Sequence, residues 1–227
     1  MTEVAQSLRQ VRERLRAACS KAGRATDAVR LVAVSKKQPV EAIRAAFAEG
    51  QRDFGENYVQ ELAAKAAALS DLPGLCWHFI GHLQRNKAAQ AVTLASLVQT
   101  VDSERLAIEL GRRAEAQGRR LPVLVEVNVG GETQKSGAAP TDLPALLAVI
   151  EAQTALALRG LMTVPPHTED PAGARPFFDQ LVALRNENGG PDRLPELSMG
   201  MTHDLEQAIF AGATMVRVGT AIFGARG

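Results

Sequence analysis

The sequence predicts an α/β fold, a single TIM-type (β/α)8 barrel with one extra helix at its N-terminus. Short runs rich in Val, Leu and Ile alternate about eight times with longer runs of helical periodicity, the pattern of parallel strands joined by crossover helices. The length of 227 residues is ordinary for one α/β barrel. No linker divides the chain, because the clusters at Pro165-Pro166 and around Gly189, Gly190 and Pro191 fit turns between units, so residues 1–227 read as one domain. A doubly wound open sheet is the alternative.

The elements follow in order. Val4, Leu8, Val11, Leu15 and Cys19 recur at helical spacing, which predicts an amphipathic helix over residues 3–22 within an N-terminal segment 1–24. Its polar face carries Arg9, Arg12, Arg14 and Arg16, followed by Lys21 and Arg24; a solvated charged face is the default, and RNA or an acidic partner the alternative. Strands are predicted at 31–35, 53–54, 77–80, 97–101, 122–129, 156–162, 196–199 and 215–218. Among these, 122–129 is the clearest, with Val123, Val125, Val127 and Val129 alternating against Leu124, Glu126 and Asn128. Helices are predicted at 40–49, 56–68, 103–116, 141–152, 171–186 and 204–211.

Composition excludes several classes. With 46% hydrophobic and 22% charged residues and a formal net charge of +1, the chain holds enough apolar side chains for a core and lacks the global basic excess of many nucleic-acid binders, so no nucleic-acid partner is expected. Cys19 and Cys76 have no CxxC spacing and read as free thiols in a buried, reducing setting. No signal-peptide pattern and no apolar run of about 20 residues appears, so a cytoplasmic protein without a membrane partner is expected. A monomer is expected as well.

Chemistry in such a barrel gathers where strands end. Alternation in the first strand puts Lys36 on the side of Val32 and Val34, the branched residues expected inside the barrel, and turns Lys37 toward helices or water. An amine at that mouth is partly desolvated, which favours the neutral form that makes a Schiff base; a lysine snorkelling to solvent is the plainer alternative. Thr202 and Gly219-Thr220 follow the last two strands, where barrels commonly bind phosphate. Arg217 is a charge inside the final strand, expected to be paired to a carboxylate or aimed at a ligand. His78 and His82 share strand parity but have no third ligand at a recognisable spacing, so no metal is expected. Lys135, in the Gly-rich loop 130–137, is expected to be solvated and protonated, at most a secondary, transient site for an aldehyde. Met199 and Met201 are expected to pack the pocket floor.

LVAVSKKQP from Leu31, FGENYVQE from Phe54, WHFIGHLQRNK from Trp77, VEVNVGGETQKSG from Val125, GLMTVPP from Gly160 and the long stretch from Leu197 to Gly227 occur in one order over nearly the whole chain. Together they resemble the pyridoxal phosphate homeostasis protein family, relatives of the N-terminal barrel of alanine racemase. The resemblance implies that Lys36 holds pyridoxal 5′-phosphate (PLP) as a Schiff base, that Asn57 lines the pocket, and that Arg217 faces the pyridine nitrogen. It assigns phosphate to Thr202, Gly219 and Thr220. Thr202 replaces the family's usual serine and keeps the hydroxyl; Gln38 replaces a frequent lysine. The implied function is intracellular vitamin B6 homeostasis, with apo-PLP enzymes as recipients and no catalytic residues of its own. An amino-acid racemase is the alternative, weakened because such racemases carry a further β-rich domain where this sequence stops at Gly227; a PLP-free Schiff-base aldolase is a third.

Overall fold

The computed structural model describes residues 2–224; Met1 and residues 225–227, the end of the last motif, lie outside it. Eight parallel strands close into a barrel in chain order, β1 (Arg30–Val34), β2 (Asp53–Glu56), β3 (Cys76–Phe79), β4 (Leu97–Val101), β5 (Leu121–Glu126), β6 (Leu156–Met162), β7 (Glu196–Ser198) and β8 (Met215–Val218). The ring closes as β8 pairs with β1, Arg30 to Met215 and Ala33 to Val218. Open-sheet topology is thereby replaced by a barrel.

Side-chain alternation divides the core in two. Val32, Leu97, Leu124, Met162 and Met215 form a small apolar cluster inside the barrel. Their neighbours along the strands, among them Leu31, Ala33, Val98, Val123 and Val125, join the larger core between the strands and the surrounding helices. Those helices are α2 (Val40–Ala48), α3 (Val59–Ala68), α4 (Ala88–Leu94), α5 (Glu104–Ala116), α6 (Leu143–Glu151), α7 (Arg175–Glu187), the one-turn α8 (Gly190–Arg193), α9 (Leu205–Ala211) and the one-turn α10 (Thr220–Phe223). The extra helix, α1 (Glu3–Lys21), buries Leu8, Val11, Leu15 and Cys19 and is capped by the Thr2 hydroxyl, which accepts from the Ala5 amide at 3.2 Å.

Several boundaries differ from the sequence reading. The fifth strand stops at Glu126, and beyond it Val127 makes only an isolated bridge to Ala138. Its Val alternation runs on into the loop because Val127 and Val129 stay buried after leaving the sheet. Glu56 belongs to β2, and the helix expected from residue 56 begins at Val59. Helix α4 was not expected; its seven residues, AAQAVTL, are too few to show a helical period.

The basic face of α1 is a set of fasteners. Arg9 donates to Glu49 at 2.8 Å and Arg12 to the Glu49 carbonyl at 2.6 Å, and just past the helix Arg24 donates to the Ile209 carbonyl at 2.9 Å. Arg14 forks onto Glu206 and also donates to the Thr202 carbonyl at 3.0 Å. Among the described residues no helix is long and apolar enough to cross a membrane.

Candidate functional site

The site lies at the C-terminal mouth of the barrel, and its first element is the turn after β1. Lys36 is half-buried there, whereas Lys37 is exposed and adopts a left-handed φ of 60°. That strained conformation is held from outside: the Lys37 amide donates to Glu61 at 2.5 Å. Lys65, buried on α3, donates to Glu61 at 2.7 Å, to Glu56 at 2.8 Å and to the Ser35 carbonyl at 2.6 Å. The Ser35 hydroxyl closes the cluster by donating to Glu56 at 2.6 Å. Both neighbours of Lys36 are thus pinned by a buried ion cluster, and removing one member of such a cluster costs about 3–5 kcal/mol. Burial raises the Glu56 carboxyl above its ordinary pKa against the pull of Lys65 and Ser35, and its Oε2 has no hydrogen-bond partner. The sequence reading missed this cluster. Its signal was a lysine on the stripe Val59, Leu62, Lys65, where helical spacing calls for an apolar residue.

Lys36, Val34, Gln38, Gly219 and Thr220 border one small hollow of about 40 Å³. The Thr220 hydroxyl donates to the Thr202 hydroxyl at 3.1 Å, so the three residues assigned to phosphate stand together beside the lysine. The loop bearing Thr202 turns at Gly200, whose φ is +92° and where an added Cβ would stand 2.4 Å from the Cβ of Ala208. Only glycine fits. The Gly200 carbonyl accepts from the Arg217 amide at 2.9 Å, which ties this loop to β8.

Arg217 is 4% exposed inside the barrel. It donates to the Ser198 hydroxyl at 2.7 Å and to the Thr163 carbonyl at 2.8 Å. Among the described residues no carboxylate is bonded to it directly. Burial pulls its pKa down to about 10, while the charges of Glu126 and Asp204 pull the other way. Glu126, at the end of β5, is pushed up to about 7 by burial and by the charge of Asp102, with Arg217 opposing.

Asn57 borders a different cavity, of about 400 Å³, between the loops after β2 and β3, with Tyr58, His82 and Lys87. Its Oδ1 is buried without a hydrogen-bond partner. A Cβ at Gly81 would lie 2.1 Å from the Asn57 carbonyl oxygen, so glycine is what lets the two loops touch.

Two sequence expectations change here. Lys135 is half-buried and paired, 2.5 Å from Glu132 and donating to the Pro165 carbonyl at 3.0 Å, because its Gly-rich loop folds back on the chain. Met199 packs into the helix-facing core and Met201 is 37% exposed, so neither lies under the site; alternation turns Ser198 inward and Met199 outward. His78 is buried in the barrel, 2.9 Å from Asp53, whereas His82 is largely exposed, 3.5 Å from Asp102. Among the described residues no three His, Cys, Asp or Glu side chains cluster as a metal site.

These residues fit a cofactor that brings a phosphate, a reactive carbonyl and ring polar atoms. A mouth-facing amine adjoins hydroxyls and a glycine turn, a guanidinium waits in the interior, and an amide oxygen is buried without a partner. Comparison with known proteins agrees. Residues 6–227 match the family model described as alanine racemase, N-terminal domain. The chain is 46% identical over its full length to the pyridoxal phosphate homeostasis protein of Pseudomonas aeruginosa, covering 97% of that protein. It is 43% identical to the protein of the same name from Aquifex aeolicus, over 96% of each chain. The structure of PipY from Synechococcus elongatus with PLP bound superposes with a TM-score of 0.86 at 40% identity, over 98% of this chain and 100% of that one. Alanine racemase from Clostridium difficile shares the fold alone, with a TM-score of 0.75 at 13% identity over 97% of this chain and 57% of that one. The chain belongs to the pyridoxal phosphate homeostasis protein family, within the larger family of the alanine racemase N-terminal domain.

Proposed function

We propose that this protein binds pyridoxal 5′-phosphate at the C-terminal mouth of the barrel and buffers or delivers it within the cell, without turning over amino acids. The single observation that carries the reading is that Lys36 and the Gly219-Thr220 turn border one hollow, with Arg217 buried in the barrel interior. Bound, the cofactor supplies an aldehyde that a primary amine captures reversibly. Lys36 is the amine, and the cluster around Lys65 holds its backbone in place. Thr202, Gly219 and Thr220 hold the phosphate. Arg217 offers only donors, so it binds an unprotonated ring nitrogen and disfavours a proton there. Asn57, with a buried oxygen awaiting a donor, orients the ring. The proposed partners are apo-PLP enzymes that receive the cofactor, the proposed location is the cytoplasm, and the proposed assembly is a monomer.

Borohydride reduction of the loaded protein followed by peptide mapping tests the site. The pyridoxyl mass is expected on Lys36, and Lys36→Ala is expected to remove both the adduct and the visible absorption band while leaving the fold intact. A label chiefly on Lys37 or Lys135 defeats the assignment.

A further inference from the structure

A line of buried polar side chains crosses the barrel from the cofactor mouth to the opposite end. Arg217 Nη1 donates to Ser198 Oγ at 2.7 Å, and Ser198 Oγ donates to Gln99 Oε1 at 2.6 Å. Gln99 Nε2 lies 2.9 Å from His78 Nδ1, and His78 Nε2 lies 2.9 Å from Asp53 Oδ1. Ser198 and Gln99 are wholly buried and His78 is 1% exposed. Asp53 is where the line meets solvent. It borders a cavity of about 190 Å³ at the N-terminal mouth with Arg30, Cys76, Arg159 and Glu196, and a second of about 430 Å³ with Arg12 and Arg52.

The donor directions are fixed by chemistry. Arginine only donates and a carboxylate only accepts, which sets both ends. In the middle, Gln99 Nε2 also faces the Met215 sulfur at 3.0 Å, an atom with no hydrogen to give, so the amide nitrogen and not its oxygen must lie on that side. His78 Nδ1 then accepts from Gln99, which leaves Nε2 carrying the hydrogen that reaches Asp53. Every link therefore donates the same way, from guanidinium to carboxylate. Such chains polarise each link in turn, and more so in a low-dielectric interior.

We propose that Asp53, His78, Gln99 and Ser198 are positioning residues, a one-way hydrogen-bond chain that orients Arg217 and makes it answer to the charge at the opposite mouth. The consequence for the cofactor rests on the reading that Arg217 faces the ring nitrogen. Neutralising Asp53, whether by substitution or by a cation from either cavity, relaxes the polarisation at the far end and changes how strongly Arg217 donates. The chain tunes the bound state and leaves capture to Lys36.

The test uses two readouts at one fixed pH. In the ligand-free protein, ¹⁵N NMR is expected to show the His78 ring as the neutral form with its hydrogen on Nε2, and Asp53→Asn is expected to shift the Arg217 guanidinium resonances. Glu196→Gln is the matched control, since it removes one negative charge at the same mouth from a residue outside the chain, bonded to Thr214 at 2.8 Å. It is expected to leave Arg217 unmoved. In the PLP-loaded protein, Asp53→Asn and Gln99→Leu are expected to shift the visible absorption maximum, and Glu196→Gln to leave it. A hydrogen on His78 Nδ1, or a guanidinium shift as large in Glu196→Gln as in Asp53→Asn, overturns the chain. Should Gln99→Leu fail to fold, Asp53→Asn at the half-exposed mouth carries the test alone. The first readout needs no cofactor, so a misassigned cofactor site shows up separately. The guanidinium then responds as expected while the label in the loaded protein falls on a residue other than Lys36, and the chain stands. With the label on Lys36, an absorption maximum unmoved by Asp53→Asn overturns the link to the cofactor.

Discussion

Glu126 shows how much a single side chain depends on its setting. It continues the inward face of β5 above Leu124, is 9% exposed, and has its pKa raised to about 7 from the ordinary 4.5, with burial the first cause. The folded protein therefore binds a proton that the unfolded chain has released over the interval from about pH 4.5 to 7, so the stability tied to this group is present below that interval and lost as pH rises through it. The loss amounts to about 3 kcal/mol, to order of magnitude. Glu126→Gln should remove it: denaturant titrations are expected to show the variant gaining on the parent between pH 5 and pH 8. A difference that stays flat with pH refutes the assignment. At this scale the sequence was legible where alternation governs. Val32 turns into the barrel interior with Met215, the side that alternation gives it, and Arg217, which the sequence left either interior or helix-facing, is buried inside the barrel. Parity failed to reveal the partners, because it gives the direction of a side chain but not which strand end lies opposite. Ser198, Thr163 and Gln99 become neighbours of Arg217 and of one another only once the ring has closed.

Among elements, α1 has the least obvious role in the sequence and a clear one in the fold. Its apolar stripe was readable from spacing; the tasks of its arginines were not, since Arg14 finds Glu206 and the Thr202 carbonyl from 192 and 188 positions away. Arg14 reaches the back of the turn whose hydroxyl stands beside Thr220, so α1 steadies the turn proposed to hold the phosphate without entering it. Arg14 and Glu206 are each about a third exposed, which limits such a contact to roughly 0.4–1 kcal/mol, or about two- to fivefold in affinity. Arg14→Ala is expected to weaken PLP binding by that factor and to leave the binding of pyridoxal, which has no phosphate, unchanged. Equal losses for both ligands in parallel titrations count against the role. Short elements were the hardest to read. Helix α4 spans seven residues and the strand at 53–54 proved to extend to Glu56, because about two turns of helix, or a Gly in a strand, give periodicity too little length to register.

For the molecule as a whole, the shared fold with alanine racemase poses the question of turnover, and the answer lies in which groups the barrel brings to its mouth. Racemisation requires one acid/base group on each face of the substrate Cα, held within hydrogen-bond reach. Lys36, as the proposed amine, serves one face. Tyr58, the single tyrosine of the chain, is the residue before α3, makes no capping hydrogen bond with its side chain and is 55% exposed, so it is not held in place as an acid/base. On the proposed reading, Arg217, buried and able only to donate, faces the ring nitrogen and disfavours the protonated ring that best stores those electrons, which narrows the carbanion chemistry open to it. The proposed function is therefore that of a protein that holds an aldehyde and releases it to a competing amine, leaving the Cα–H bond intact. The loaded protein, incubated with L-alanine in deuterated water and followed by proton NMR, is expected to keep the α-proton signal and the L configuration. Exchange or racemisation at about 1 per second or faster, the range of ordinary enzymes, would instead make it a racemase with a second acid/base group other than Tyr58. Glu126, which titrates to about 7 at the same mouth, would be the first residue to substitute.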